Sequence, residues 1–429
     1  MAMIRPETEM KDSGVQWIGD IPNNWNIKPL YACLDEINQK NSPVVTTNIL
    51  SLTNTDGVIP YSERGNQGNK SKENFEEYKV VYPNTIVANS MNILIGSVGL
   101  SQYEGCVSPV YYVYAAKPQV DIRYMNYLFQ IEPFQKRLRQ FANGILEIRL
   151  RVSSHDILHQ KVAVPDYDEQ KAIADYLDKI CSQIDEIIAE AKASIDEYKE
   201  LKQSVIDKAV LHGLCNGMMK DSENDLIGKI PLSWKMRKLK YVADFNPGIT
   251  IAYDVQKEVG YVPMNCVKNG YMNPLSARLS DMSTGLTGFQ DGDIVMAKVT
   301  PCFENGNIAV AENLEQGVAF GSSELFVIRT HSINRRFMLY YLQNSIFRNQ
   351  CISTMTGTGG LKRVSGYFVN NAYITYPPEN EQQVIADYLD EAVKNMDSLI
   401  AEKESLINDL EAYKKSLIYE VVTGKRRVV

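Results

Sequence analysis

The sequence predicts a mixed α/β (α+β) protein in which two tandem globular domains alternate with two long helices. Three observations lead to this prediction. The chain repeats itself once at an offset of about 210 residues, each repeat opens with a strand-rich segment, and each closes with about 43 residues that include neither proline nor glycine. The predicted parts are a first domain at 1–166, a helix at 167–215, a second domain at 216–378 and a helix at 379–429.

Two matching stretches establish the repeat. Residues 12–25 and 221–234 share the frame Asp-Ser, then Ile-Gly-x-Ile-Pro-x-x-Trp. Residues 169–178 and 381–390 share Glu-Gln followed by Ile-Ala-Asp-Tyr-Leu-Asp, which makes eight identities in ten positions at an offset of 212. The same offset relates two copies of Arg-Val-Ser, the first of them at 151–153. These identities indicate a tandem duplication, because solenoid proteins repeat at far shorter periods.

The opening segment of each repeat predicts a domain of strands and shorter helices. Val107–Ala115 and Asp293–Val299 are rich in β-branched or other apolar residues and lie between turn-forming residues, so we expect strands there. Helical patterns follow in both repeats, at Tyr124–Phe141 and Arg335–Gln350.

The closing segments predict two long helices that pair with each other. Apolar residues recur at spacings of three and four over some six heptads, in the same phase in both segments, which is typical of a coiled coil. Pairing within one chain is favoured by the high effective concentration of the two helices, and two independent dimerisation helices are the alternative. The predicted interface consists of Ile173, Leu177, Ile180, Ile184, Ile187, Leu201, Val205, Ile385, Leu389, Met396, Leu399, Leu410 and Leu417.

Composition narrows the class of protein. The chain has 429 residues, a net charge of −7 and 23% charged residues, which excludes a disordered or collagen-like chain. It has no run of about 18 apolar residues and no apolar core near its N-terminus, so we expect neither a membrane-spanning helix nor a signal peptide. Seven scattered cysteines without a CxxC pair indicate the reduced thiols of a cytoplasmic protein.

No catalytic motif is complete in the sequence. Gly357–Lys362 resembles a phosphate-binding loop only in composition, and residues 376–379 lack the flanking residues of the amino-methyltransferase motif that they resemble. Pro165–Lys171 mimics a nuclease metal site, but the second repeat lacks the aspartate and the lysine. His155 and His159 have no accompanying glutamate of the zinc-protease type. The sequence therefore indicates a binding protein without a catalytic, cofactor or metal site.

The acidic residues are concentrated in the predicted helices. Residues 169–212 and 381–423 carry net charges of −4 and −6, which leaves +3 for the rest of the chain. Glycine-containing loops at 142–151 and 356–363 end in cations, which suits contact with phosphate or guanine, although solvated loops without a ligand are the alternative. The candidate DNA-contacting residues are Asn89, Ser90, Asn92, Arg149 and Arg151 in the first domain and Lys298, Thr300, Lys362 and Arg363 in the second.

These motifs resemble those of the specificity subunit of type I restriction–modification enzymes. The resemblance rests on the motif at 12–25, the two Glu-Gln helix starts and Gly292–Val295, and it covers nearly the whole chain. The sequence departs from the Gly-Asp-Ile-Val pattern at 83–87, where the first repeat reads Pro-Asn-Thr-Ile-Val. The resemblance implies two target-recognition domains held apart by two long antiparallel helices with pseudo-twofold symmetry. Each domain would read one half of a split double-stranded DNA target from the major groove.

The resemblance also implies partners and a division of labour. Two modification subunits would bind around the helices, carry S-adenosylmethionine and methylate adenine, and two restriction subunits would bring ATP, Mg²⁺, translocation and cleavage. The specificity subunit would be non-catalytic, with no contact to a membrane. Two alternatives remain open: a coiled-coil scaffold whose domains bind peptides, and an enzyme with an unrecognised site.

Overall fold

The computed structural model describes residues 3–53, 57–64, 74–143, 150–214, 217–358 and 360–428. The chain divides into two compact units. Unit 1 comprises Met1–Ala191 with Ser405–Val429, and unit 2 comprises Lys192–Glu404. Each unit contains one strand-rich domain and one half of each long helix, so the units differ from the four segments predicted from the sequence.

The main sheet of unit 1 has four antiparallel strands in the order β10 (Val98–Ser101), β9 (Thr85–Asn89), β12 (Tyr111–Ala116) and β5 (Leu34–Glu36). In this sheet Ala88 of β9 lies opposite Val98 on one side and Tyr112 on the other. β9 is buried along its whole length, as expected for a central strand. The strands of unit 1 are β1 (Met3–Ile4), β2 (Met10–Asp12), β3 (Asp20–Pro22), β4 (Asn26–Pro29), β5 (Leu34–Glu36), β6 (Leu50–Leu52), β7 (Val58–Pro60), β8 (Lys79–Val81), β9 (Thr85–Asn89), β10 (Val98–Ser101), β11 (Gly105–Val107), β12 (Tyr111–Ala116) and β13 (Lys161–Val164). Two-stranded ladders join β13 to β4, β11 to β8, β6 to β7 and β2 to β3, and β1 pairs with Arg426–Arg427.

Unit 2 repeats the main sheet with the strand order β22 (Ile308–Val310), β21 (Ile294–Ala297), β24 (Leu325–Thr330) and β17 (Ala243–Phe245). Its strands are β14 (Met219–Asp221), β15 (Lys229–Pro231), β16 (Lys235–Lys238), β17 (Ala243–Phe245), β18 (Glu258–Val262), β19 (Leu275–Arg278), β20 (Thr287–Gln290), β21 (Ile294–Ala297), β22 (Ile308–Val310), β23 (Val318–Gly321), β24 (Leu325–Thr330) and β25 (Tyr373–Tyr376). The pairing of β16 with β25 corresponds to that of β4 with β13. Unit 2 also has a four-stranded sheet of order β19–β18–β23–β20. The sequence duplication therefore extends to the fold.

The helices are α1 (Ile122–Gln130), α2 (Glu132–Arg139), α3 (Ser154–Leu158), α4 (Tyr167–His212), α5 (Arg335–Gln343), α6 (Ser345–Ser353), α7 (Gly366–Asn371) and α8 (Glu379–Val422). The helix predicted at 124–141 is interrupted at Ile131, which is extended because the proline in the first turn of α2 cannot continue α1. The helix predicted at 335–350 is interrupted at Asn344, whose side chain caps α6 by accepting a hydrogen bond from Phe347 N at 2.8 Å.

The helices α4 and α8 confirm the two long helices predicted from the sequence. Each ends at a glycine with left-handed backbone, Gly213 (φ +76°) and Gly424 (φ +74°), which is the usual way to terminate a helix. A Cβ at Gly424 would lie 2.4 Å from the Pro22 ring, and one at Gly213 would lie 3.1 Å from the Trp234 ring. Both positions therefore require glycine for conformation and for space.

Within each unit, the halves of α4 and α8 pack against each other and run antiparallel. In unit 1, the Tyr124 hydroxyl lies within hydrogen-bond distance of Ala163 O (2.8 Å), just before α4, and of Val422 O (3.0 Å), at the end of α8. In unit 2, Lys202 Nζ donates to Asp397 Oδ1 at 2.5 Å, and Lys403 Nζ lies 5.9 Å from the centroid of the Tyr198 ring. The helices thus pair within the chain, as opposed to serving as independent dimerisation helices.

The buried seam differs from the predicted interface at three positions. Ile187, Leu201 and Leu399 are exposed, whereas Ile188 and Ile400 are buried. On α4 the buried stripe passes through Cys181 and Ile188, where the prediction has the neighbouring Ile180 and Ile187, and Cys181 packs there as a small apolar residue. The remaining predicted residues are buried (Ile173, Leu177, Ile184, Ile385, Leu389, Met396, Leu417) or half-buried (Ile180, Val205, Leu410).

The glutamine of each repeated Glu-Gln pair joins a long helix to its domain. Gln170 Oε1 accepts a hydrogen bond from Asp121 N at 3.0 Å, and Gln382 Oε1 accepts one from Asn334 N at 2.7 Å. Both glutamine amides also donate to the carbonyl of the proline five residues earlier, at 3.0 and 2.8 Å. Because Asp121 and Asn334 cap α1 and α5, the glutamine links the start of each short helix to the start of the long one.

The repeated aspartates hold an arginine and a tyrosine of the domain. Arg123 Nη1 donates to both aspartates of the first Ile-Ala-Asp-Tyr-Leu-Asp motif, at 2.7 and 2.8 Å, and Arg336 bonds both aspartates of the second. The Tyr127 and Tyr340 hydroxyls donate to the second aspartate of each motif, at 2.8 and 2.7 Å. The motif thus fixes the orientation of each long helix on its own domain.

Candidate nucleic-acid interface

In unit 1, two of the loops predicted to contact DNA lie side by side. The chain leaves β9 at Asn89, and Ser90 O accepts a hydrogen bond from Val152 N at 3.2 Å. Arg151 exchanges backbone hydrogen bonds with Asn143 at 2.8 and 2.9 Å. The exposed Arg151 therefore lies beside the end of β9.

Two candidate residues of unit 1 are buried, which removes them from the DNA-contacting set. Asn89 is 7% exposed and Ser90 is 4% exposed. Asn89 Oδ1 accepts a hydrogen bond from Met91 N at 3.0 Å and so closes the turn after β9. Because Asn89 is buried and its amide oxygen is bound to the backbone, its side chain is not accessible to a base. Asn92 is exposed and remains a candidate, whereas Arg149 lies outside the residues that the structure describes.

In unit 2, the corresponding loops bring all four candidate residues together. Val364 N donates to Lys298 O at 2.9 Å, and Thr300 N donates to Lys362 O at 3.0 Å. Arg363, between Lys362 and Val364 in sequence, is exposed, as is Lys362. The end of β21 and the glycine-containing loop before α7 thus form one polar surface.

Glu324 belongs to the same surface and was not among the predicted residues. Arg363 Nε donates to its two carboxylate oxygens at 3.1 and 2.9 Å, and Arg363 Nη2 donates to Oε1 at 2.8 Å. Lys298 Nζ lies 4.0 Å from Oε2. The hydrogen bonds from Arg363 lower the pKa of Glu324. No local pattern relates residues 39 positions apart, so periodicity could not have identified this partner.

Backbone hydrogen bonds align the two surfaces residue by residue. The residue after β9 accepts a hydrogen bond from Val152 N and donates one to Val110 O, at 3.2 and 3.3 Å. Lys298, the residue after β21, makes the same two bonds: it accepts one from Val364 N at 2.9 Å and donates one to Glu324 O at 3.0 Å. The resulting equivalences are Ser90 with Lys298, Val110 with Glu324, Arg151 with Arg363 and Val152 with Val364. The Arg-Val-Ser repeat was the sequence signal for this correspondence.

The two surfaces differ in the side chains beside the aligned residues. In unit 1, Ser154 Oγ donates to Glu36 Oε2 at 2.5 Å, and Lys79 Nζ lies 3.7 Å from Glu36 Oε1. At the position equivalent to Glu36, unit 2 has Phe245, whose ring centroid lies 5.0 Å from that of Phe326. One surface is therefore flanked by a charged network and the other by aromatic rings, so the two present different chemistry.

Unit 2 also contains a cavity of about 740 Å³ between its domain and its part of the long helices. Apolar side chains such as Ile206 and Phe303 line it together with Lys199, Lys394 and Arg348. Arg348 Nε has no hydrogen-bond partner among the described residues, and burial lowers the pKa of this guanidinium.

The described residues show neither a metal-binding cluster nor a membrane-spanning helix. No group of three or more histidine, cysteine, aspartate or glutamate side chains in this part of the chain is arranged to hold a metal ion. None of the helices in the same residues is both long enough and apolar enough to span a bilayer.

Comparisons with solved structures show the fold. A chain solved in work on complex assembly and conformational transition of the type I restriction–modification system superposes with a TM-score of 0.71 at 14% identity, covering 94% of this chain and 99% of that one. The HsdS subunit from Thermoanaerobacter tengcongensis superposes with a TM-score of 0.53 at 14% identity, covering 94% and 98%.

Comparisons with known sequences identify the family. The type I restriction enzyme EcoAI specificity subunit of Escherichia coli is 33% identical over 199 residues, or 45% of this chain, and the putative MjaX specificity subunit of Methanocaldococcus jannaschii is 23% identical over 96% of both chains. The match spans about a third of the length of EcoAI and of a second Escherichia coli relative, EcoEI. The family model for the type I restriction modification DNA specificity domain matches residues 32–197 and 231–409. Because these two segments make up well over half of the chain, the protein belongs to the family of type I restriction–modification DNA specificity proteins.

Proposed function

We propose that this chain is the sequence-specific DNA-recognition subunit of a type I restriction–modification complex and that each of its domains reads one half of a bipartite double-stranded target. The observation that carries the proposal is the equivalence of the two polar surfaces, in which the same backbone hydrogen bonds place Arg151 beside β9 and Arg363 beside β21. Exposed arginines suit contacts with phosphate and with guanine edges in the major groove.

The differences between the two surfaces support half-sites of different sequence. A duplicated reader has twofold-related elements, and a two-part protein is matched by a two-part DNA site. Glu36 flanks one surface where Phe245 flanks the other, so the chemical groups offered to the bases differ. The full target therefore need not be a palindrome.

The distribution of charge favours tight binding only in the assembled complex. The helices carry most of the acidic residues, and the remainder of the chain has a net charge of only +3. Because phosphate neutralisation supplies most of the non-specific affinity of DNA-binding proteins, the isolated chain would bind DNA weakly.

Exposed apolar residues on the long helices support contacts with partner subunits. In unit 1 these residues are Tyr167, Ile187, Leu406 and Tyr413, and in unit 2 they are Leu201, Val384, Tyr388 and Leu399. Apolar side chains that recur along a solvent-facing helix surface are typical of protein interfaces. We assign these surfaces to two modification subunits, with two restriction subunits completing the complex.

The chemistry of the complex would reside on those partners. The modification subunits would bind S-adenosylmethionine and methylate an adenine flipped out of the duplex, and the restriction subunits would use ATP and Mg²⁺. The chain described here would perform no chemical step and would supply sequence selection and a scaffold.

A scaffold whose domains bind peptides is the second candidate, and the cavity of unit 2 favours it. The cavity combines apolar walls with basic side chains (Lys199, Lys394) and acidic ones (Asp390, Asp397), which suits a peptide segment that carries charges of both signs.

The two candidates differ in their response to DNA and salt. The full chain, co-expressed with its modification subunits, would be titrated with duplexes carrying its methylated motif and with scrambled duplexes at several salt concentrations. We expect sequence-dependent binding that weakens steeply with salt. Equal affinity for all duplexes, or an affinity that does not change with salt concentration, would refute the DNA-recognition proposal and favour the scaffold.

A further inference from the structure

The ion pair between Arg363 and Glu324 leaves one edge of the guanidinium free. A guanidinium offers two bidentate edges, the side edge formed by Nε and Nη2 and the end edge formed by Nη1 and Nη2. Glu324 accepts hydrogen bonds from Nε and Nη2 and so occupies the side edge. Among the described residues, Nη1 has no hydrogen-bond partner, so the end edge is available to a ligand.

Glu324 is itself held in place by its surroundings. Its backbone N donates to Ser322 Oγ at 3.2 Å, and its backbone O accepts from Lys298 N at 3.0 Å. Lys298 Nζ donates to Ser323 O at 2.7 Å and lies 5.6 Å from the centroid of the Phe326 ring. Lys298 is therefore committed to contacts within the loop, whereas the Arg363 guanidinium faces solvent.

Exposure argues against a purely structural role for the pair. The Arg363 side chain is 48% exposed and the Glu324 side chain 27% exposed. Ion pairs at this level of exposure contribute little to folding stability. A carboxylate beside a DNA-contacting cation would also repel phosphate, which is the opposite of what a general phosphate-binding surface needs.

Unit 1 provides the contrast. Val110 stands where unit 2 has Glu324, and Arg151 stands where unit 2 has Arg363. Within the described residues, Arg151 has no carboxylate partner, and its side chain is exposed. The duplicated surfaces thus place an arginine at the same position, and among the described residues a carboxylate orients that arginine in unit 2 alone.

We propose that Arg363 reads a guanine in the half-site bound by unit 2 and that Glu324 is the positioning residue that aims the Nη1–Nη2 edge at the base. Guanine presents O6 and N7 to the major groove, and a bidentate arginine matches these two acceptors. A guanidinium held on its side edge loses less conformational freedom on binding, so its preference for guanine becomes sharper. This inference rests on the proposed function.

The test uses the full chain in complex with its modification subunits. Methylation mapping in cells that express the complex gives both half-sites, and dissociation constants are then measured for duplexes in which each position is replaced by the other bases. We expect one half-site to contain a guanine whose discrimination falls about 10- to 100-fold in Arg363→Lys. Glu324→Gln and Glu324→Val should weaken the preference at that same position, with affinity for unrelated DNA retained or raised. Arg151→Lys, the matched control, should leave that position unchanged.

Three outcomes separate the possibilities. A uniform loss of binding at all positions together with a lower melting temperature in Glu324→Gln would show a structural role and overturn the assignment. Unchanged discrimination at every guanine in Arg363→Lys, with methylation of the target retained, would also overturn it and leave the proposed function intact. If the complex with the parent sequence shows no preference for any DNA sequence, the proposed function itself is refuted.

Discussion

The indole Nε1 of Trp25 donates a hydrogen bond to Glu169 Oε2 at 2.9 Å and so joins the first motif of the repeat to the start of α4. The duplicate pair, Trp234 and Glu381, makes the same bond at 2.7 Å. Both indoles are buried, and a buried indole N–H needs an acceptor. The tryptophan and the glutamate are 144 residues apart in the first repeat and 147 in the second, and this bond explains why both recur in each repeat.

Removing the acceptor should destabilise the two units to different degrees. Glu169 also accepts a hydrogen bond from the half-buried Arg5 at 2.7 Å, whereas among the described residues Glu381 has Ser233 Oγ, at 3.4 Å, as its one further side-chain donor. We expect Glu381→Ala to lower the free energy of unfolding by about 1–2 kcal/mol and Glu169→Ala by about 2–3 kcal/mol, since the second variant also removes a carboxylate partner of the half-buried Arg5 cation. Denaturant unfolding measures both, with the exposed Glu197→Ala as control. Equal effects would contradict the role assigned to Arg5.

Neighbouring isoleucines on α4 test the position of the seam. Ile188 is buried and Ile187 is 45% exposed, although the sequence pattern favoured Ile187. Ile188→Ala should lower the free energy of unfolding by about 2 kcal/mol or more through loss of core packing, and Ile187→Ala by less than about 1 kcal/mol. If Ile187 contacts a modification subunit, its variant should weaken that association at unchanged stability. If Ile187→Ala lowers the free energy of unfolding more than Ile188→Ala does, the seam predicted from the sequence is correct.

The glycine after α8 should be sensitive to a single methyl group. In Gly424→Ala, the left-handed backbone costs about 1 kcal/mol, and the close approach to Pro22 adds about 1–3 kcal/mol of overpacking. Gly19 has a similar φ of +70° with nothing within 4 Å of an added Cβ, so Gly19→Ala isolates the backbone contribution. Thermal unfolding of the two variants separates the effects. Equal melting temperatures would exclude a steric role for Pro22.

The buried thiols should make stability fall in alkaline solution. Burial raises the pKa of Cys106 and of Cys181 from an ordinary value of 9.0 to about 11. Above pH 9 the unfolded chain loses these protons while the folded chain retains them. The contribution to stability is therefore complete below pH 9 and is lost as the pH rises towards 11.

The pH dependence can be checked by measuring the free energy of unfolding at pH 8, 9 and 10. The parent protein would be compared with the Cys106→Ala, Cys181→Ala double variant. The parent should show the steeper decline, and identical slopes would refute the assignment. In native protein at pH 8, Cys266 and Cys302, which are half-buried, should react with a thiol reagent before these two do.

The elements that the sequence predicted best are those encoded by local pattern. The absence of proline and glycine over some 43 residues is sufficient to predict α4 and α8, and the identities at one offset are sufficient to predict two similar domains. The phase of the seam was harder to predict, because Cys181 and the neighbouring Ile180 both fit a helical stripe and only packing distinguishes them.

Contacts between segments that lie far apart in sequence were decided by the tertiary structure. Composition marked Asn89 as a base reader, yet the strand pairing around β9 buries it in a turn. Composition also marked Arg363 as a cation, but it could not reveal that Glu324 faces it across the surface of unit 2. Helix formation and duplication are properties of a continuous stretch of chain and can be identified from the sequence alone. The orientation of a guanidinium depends on which distant carboxylate the folded sheet brings within 3 Å, and only the tertiary structure determines that.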